Sequence, residues 1–208
     1  MATVVLTSPG TIADDSSFGS VAWSNPGNAA SSNNSYATAS ISTGSNSHYL
    51  KFTNWGASIP TGATINGITV EIEVSCVFTP GISVNDVRCR LVKAGTIQST
   101  DRNSVTGWTT TDTYLSHGGS SDLWGGTWLD TDINNSGFGF VIAALQNGGP
   151  VTAQIDHARI TIDYTPAAGV VLTQLERDVR GLHRGLCVGV RCLKRRRIER
   201  AEFIGSRC

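Results

Sequence analysis

Ile68-Thr69-Val70-Glu71-Ile72-Glu73-Val74-Ser75-Cys76-Val77-Phe78 decides the fold of this 208-residue chain. Ile68, Val70, Ile72, Val74, Cys76 and Phe78 fall on one side of an extended strand, and Thr69, Glu71, Glu73 and Ser75 on the other. A helix would scatter these apolar residues around its circumference, so the alternation reads as a half-buried β-strand. The same period returns at Val87, Cys89 and Leu91, with Arg88, Arg90 and Val92 opposite, and again at Phe138, Phe140, Ile142 and Ala144. A last strand runs from about Val151 to Thr165, but its phase slips. Ala153 and Ile155 share one parity and Ile160, Ile162 and Tyr164 the other, which predicts a β-bulge near His157–Arg159. Weaker strands are expected at Thr3–Thr7, Tyr36–Ile41, Tyr49–Thr53 and Trp108–Tyr114.

Roughly eight short strands, joined by loops such as Ser24-Asn25-Pro26-Gly27-Asn28, predict an all-β fold, an antiparallel jelly-roll β-sandwich. Long loops are expected at about 8–35 and 95–135. Composition agrees: 15% of residues are charged, and there are 22 Ser, 23 Thr and 23 Gly against one Met. No apolar run approaches the roughly 18–20 residues a membrane helix needs. The first ten residues lack the basic start and apolar stretch of an export leader.

The formal net charge of zero hides two unlike regions. Residues 1–165 hold six Lys/Arg against twelve Asp/Glu, a net of −6, and residues 166–208 hold ten against four, a net of +6. The chain therefore divides into a body, 1–165, and a C-terminal arm, 166–208, begun by Pro166-Ala167-Ala168-Gly169. In the arm Leu172, Leu175, Val179, Leu182 and Leu186 recur at steps of three and four, a heptad stripe of barely two heptads. Gly181, Gly185 and Gly189 weaken such a helix, by roughly 1 kcal/mol each. The expectation is a short helix that folds against a partner: copies of itself, with a trimer favoured, or another protein. Arg195, Arg196 and Arg197, after Lys194, form a basic cluster. With Glu199 and Glu202 following and no aromatic platform, it reads as a salt-bridging contact rather than a nucleic-acid site.

A search for catalytic chemistry ends empty. The four histidines (His48, His117, His157, His183) sit in no G-x-S-x-G or H-E-x-x-H motif, and the glycine pairs lack the lysine of a phosphate loop. Asp156 and His157 are neighbours on a strand, so they point to opposite faces and form no direct pair. Asp14-Asp15 and Asp130-x-Asp132-x-Asn134 offer oxygens of the kind Ca²⁺ takes, but turn formation and capping explain them better. No cofactor is expected. His183, Cys187, Cys192 and Cys208 make an alternative zinc set without a recognised spacing. Cys76 and Cys89 fall inward as small apolar groups. Among the five tryptophans, Trp124 before Gly125-Gly126 reads as a plug. Trp108 and Trp128 are the better candidates for exposure, where they would stack on a glycan; the alternative is that the loop tryptophans plug the ends of the sandwich, where large rings bury most area.

One resemblance gathers these features. Leu50-Lys51-Phe52-Thr53 and Ile59-Pro60-Thr61-Gly62-Ala63-Thr64-Ile65-Asn66-Gly67-Ile68 are followed by Asp122-Leu123-Trp124-Gly125 and the closing Ile155-Asp156-His157-Ala158-Arg159-Ile160-Thr161-Ile162-Asp163-Tyr164. Together they resemble a jelly-roll module common in structural proteins of tailed bacteriophages, over about residues 10–165. The resemblance implies a non-enzymatic virion protein, a capsid decoration or a tail component, assembled in the host cytoplasm. Its partners would be other virion proteins, joined through the arm. The alternative it leaves open is a glycan- or receptor-binding module on a tail appendage, used in host attachment.

Overall fold

The computed structural model describes residues 1–77 and 81–168. Phe78 lies outside the described residues, as do Leu172, Leu175, Val179, Leu182, Leu186, Arg195, Arg196 and Arg197, and the set His183, Cys187, Cys192 and Cys208. Met1–Ala167 is one compact unit, ending within two residues of the division seen in the charge.

Ten strands build the body: β1 (Ala2–Leu6), β2 (Thr11–Asp15), β3 (Ala37–Ile41), β4 (Tyr49–Thr53), β5 (Thr64–Cys76), β6 (Ser83–Lys93), β7 (Thr96–Ile97), β8 (Thr113–Gly119), β9 (Gly139–Asn147) and β10 (Val151–Thr165). All pair antiparallel, in two five-stranded sheets. The first runs β1-β10-β5-β8 with β3 also on β10, and the second runs β2-β4-β9-β6-β7. The expected all-β sandwich is the observed one. Its interior is made by the residues the alternation selects: Ile68, Val70, Ile72 and Val74 from β5 and Ile155, Ala158, Ile160 and Ile162 from β10. Leu50 and Phe52 from β4 face them, with Phe140 and Ile142 from β9. Phe52 and Phe140 stack at the centre, centroids 4.7 Å apart and 13° from parallel. Cys76 and Cys89 are buried free thiols, and burial pushes both thiol pKa values up.

Four details differ from the sequence reading. Val87 does not share the inner face with Cys89 and Leu91, because β6 slips register against β9 between Asp86 and Arg88. The slip turns Val87 to an outer cluster with Tyr49, Val92 and Val141, while Val84 and Asp86 point inward. The strand expected at Trp108–Tyr114 instead begins at Thr113, and pairs with β5 as far as Gly119. The inward residue of its second half is a histidine, His117, so apolar alternation does not reveal it. Within the two long loops lie the strands β2 and β7, the first carrying Asp14 and Asp15 and the second only two residues long. Lastly, the bulge of β10 falls at Asp156, one residue before the expected stretch.

Candidate functional site

All five tryptophans are inside. Trp108 is 4% exposed and Trp128 7%, which corrects the expectation that these two rings face solvent. The reason is the area an indole buries, together with an acceptor for its N–H. Trp108 Nε1 donates to Asp86 Oδ1 at 3.2 Å, and Trp128 Nε1 to the Leu123 carbonyl at 3.0 Å. Trp124 is the plug foreseen: its Nε1 donates to the Ile68 carbonyl at 2.8 Å. Asp86 also accepts the Ser104 N–H at 2.6 Å, and His117 beside it holds the Arg102 carbonyl through Nδ1 at 2.8 Å. Buried polar groups thus fasten the 101–108 loop to the sandwich interior.

A cleft of about 270 Å³ opens beside Trp128, lined by Lys93, Gln98, Ser99, Thr100 and Gly125 among others. Lys93 Nζ lies 5.3 Å from the centroid of the Trp128 ring and donates to the Thr127 carbonyl at 3.0 Å. It also pairs with Asp132 at 2.7 Å. Burial works upward on the Asp132 carboxyl, but hydrogen bonds from Lys93 and the Leu129 N–H outweigh it and hold the pKa below the usual value. Trp124 and Gly125 are both left-handed (φ 54° and 66°), a costly backbone for tryptophan. The residues lining the cleft include one amide (Gln98), three hydroxyls (Ser99, Thr100 and Thr127) and a tethered ammonium.

The second polar site sits on the first sheet. β10 pairs with β3 through Val151–Ile155 and with β1 through Ile160–Tyr164, on the same edge. The change of partner leaves a notch at Asp156–Arg159, and the 31–36 loop fills it. Asp156, 1% exposed, accepts the N–H groups of Asn33 and Asn34 at 3.1 and 2.9 Å. His157 bonds the Thr7 carbonyl through Nε2 and the Tyr114 hydroxyl through Nδ1, each at 2.8 Å. Asp156 and His157 do not pair, but not because they point to opposite faces: the bulge brings both to the notch, where each holds different groups. Arg159 forks onto Glu71 at 2.7 and 2.8 Å and lies 4.3 Å over the Tyr114 ring. Tyr36 donates to Asp112 at 2.9 Å. That hydrogen bond, then burial and the charges of Asp112, Asp156 and Glu73, push its phenol up to about 12. Glu73, Asp112 and Asp156 each keep one buried oxygen without a partner.

Sequence reasoning passed this notch by, although the parity slip in β10 marked it; bulges commonly re-aim side chains. Among the described residues no three His, Cys, Asp or Glu side chains are placed to hold one metal ion. The acidic pairs weighed for calcium have other work. Asp14 takes the Trp23 N–H and His48 Nδ1, both at 2.8 Å, and Asp132 caps the short helix α1 (Asp130–Ile133) through the Leu129 N–H at 2.9 Å.

Strand pairing and these two polar sites define an antiparallel β-sandwich module that keeps its tryptophan rings inside. No family model matches the chain, and no curated protein matches it. Among solved structures it is similar to the CBM22-1 xylan-binding domain from Paenibacillus barcinonensis. The identity is 10% and the TM-score 0.40, over 79% of this chain and 95% of that one. It is also similar to a CBM4 structure, at 14% identity and a TM-score of 0.34, over 74% and 94%. The sandwich rests on its own strand pairing, not on these likenesses.

Proposed function

We propose that the chain is a non-enzymatic structural component of a tailed-bacteriophage particle. Its sandwich is the displayed part, and the arm beyond residue 166 makes the attachment to further copies, as a trimer, or to other virion proteins. The observation that carries this reading is the division of the molecule. The body completes its own core within Met1–Ala167, while the sequence beyond it turns abruptly from −6 to +6 and to a heptad stripe. Leu172, Leu175, Val179, Leu182 and Leu186 are the apolar contacts of the attachment, and Arg195, Arg196 and Arg197 the electrostatic ones. Segregated opposite charge favours docking and speeds encounter. Truncation after Pro166 tests the reading. The body is expected to stay folded and to be missing from particles and oligomers; a truncated body that still assembles normally overturns it. Copy number in purified particles then separates a head ornament, at high copy, from a tail or vertex part at low copy.

A second reading, a glycan- or receptor-binding module, is favoured by the cleft of Gln98, Ser99 and Thr100 beside Trp128. Hydroxyls and an amide around a concave surface suit a polyhydroxylated ligand. Glycan-array binding that disappears in Gln98→Ala or Thr100→Ala, with the thermal transition intact, would establish it.

A further inference from the structure

At the notch the hydrogens can be counted. His157 Nε2 faces a carbonyl, Thr7 O, which only accepts, so Nε2 carries a hydrogen. In the neutral ring Nδ1 is then an acceptor, and the Tyr114 hydroxyl gives it its single hydrogen. Glu73 stands on β5 in register with both His157 and Tyr114. It presses on the Tyr114 phenol, whose pKa is raised first by burial and then by the Glu73 charge. Yet Glu73 Oε2 is buried with no hydrogen-bond partner, although the Tyr114 hydroxyl lies within reach of the carboxylate. The charges are equally lopsided. Facing the notch are Glu71 and Glu73 from β5, Asp112 and Tyr114 from the β8 segment, Asp156 and Arg159 from β10, and Tyr36 from the loop before β3. Arg159, the one cation of this set, is already committed to Glu71. Carboxylates withdrawn from water need a compensating charge.

We propose that His157, Tyr114 and Glu73 form a proton-binding relay that secures the 31–36 loop. A proton from solvent adds to His157 Nδ1 and forms an N–H bond there. The Tyr114 O–H turns from Nδ1 to the Glu73 carboxylate with its own bond intact, and the one bond broken is the O–H of the hydronium ion that gives the proton. The ring then donates through Nδ1 to the phenol oxygen and through Nε2 to Thr7. Every donor has an acceptor, Glu73 gains its partner, and the notch gains a positive charge. The loop feels the change because Asn33 and Asn34 hang on Asp156, the neighbour of His157 in the chain.

The test uses the full chain, its Glu73→Gln and Tyr114→Phe variants, and His157→Gln to assign the ring signals. Ring-nitrogen NMR and denaturant unfolding are measured at about pH 8 and about pH 5, either side of the histidine range. The expected neutral ring carries its hydrogen on Nε2, and acid adds a protected hydrogen on Nδ1 that is lost in Tyr114→Phe. The ratio of folding constants between the natural chain and Glu73→Gln should grow about tenfold from pH 8 to pH 5. A ratio that does not change with pH overturns the relay. So does stabilisation by added Ca²⁺ at about pH 8 that Glu73→Gln abolishes, for then the carboxylates await a metal ion and not a proton.

Discussion

Gly118 shows how one residue is fixed by its surroundings. Its φ of +75° is already left-handed, and a Cβ there would run into the Ile68 carbonyl and the Trp124 indole nitrogen. Gly118→Ala is therefore expected to cost about 2 kcal/mol or more, through strain and the displaced tryptophan, as read by urea unfolding. Trp108→Ala should cost about 3–5 kcal/mol, since it empties a core position and leaves Asp86 without the indole N–H. Iodide should quench the natural chain's tryptophan fluorescence weakly, because every ring is buried. Tyr36 carries a pH signature. Its phenol is raised from 10.0 to about 12, so its contribution to stability is whole below the unfolded value and is lost as pH rises through about 12. An ultraviolet titration should show a late tyrosine step that moves to lower pH in Asp112→Asn. The inward positions of β5 could be read residue by residue from the sequence. The seats of Trp108 and Trp128 could not, because an aromatic ring in a loop faces in or out according to acceptors that lie far along the chain.

At the scale of elements, strands announced themselves where both halves of the alternation were present. β5, β9 and β10 show it over many residues. β2 has a single large apolar side chain, Ile12, packed against the core, and two of its five residues are acids, so local pattern is silent there. β8 hides behind His117 in the same way. Register slips were partly legible: the parity change in β10 foretold its bulge, whereas the slip at Asp86/Arg88 left an apolar residue, Val87, in a position that looked regular. The 98–108 segment is an element without regular structure, held by several polar contacts, with Asp86 anchoring its end and Asp101 its start. Asp101 accepts the Cys89 N–H at 2.9 Å and pairs with Arg90 at 3.0 Å and Arg88 at 3.4 Å. Asp101→Ala should lower stability by about 1–3 kcal/mol. It should also make cleavage within 98–108 faster under limited proteolysis, while the rest of the sandwich keeps its protection.

For the whole molecule, the expectation is that residues 1–167 unfold as one cooperative unit. The core cluster joins both sheets, and every apolar face of the sandwich interior has its partner within that stretch. A calorimetric trace of the body alone with a single two-state transition would show it. What the chain's sequence determined by itself is the class of fold and the line of division. Side chains alternate across a strand whatever lies beyond it, so Ile68 to Cys76 name an inner face without knowing the opposite sheet. Charge and period are likewise local sums, and they change at residue 166. Only the tertiary structure decided where polar groups meet. The notch joins Thr7, Tyr36, Glu73, Tyr114 and His157 from five separate segments, and the cleft joins Lys93 to Trp128. Such sites depend on which strands become neighbours and where register slips, and those are settled by packing of the whole sandwich, not by any one stretch of sequence.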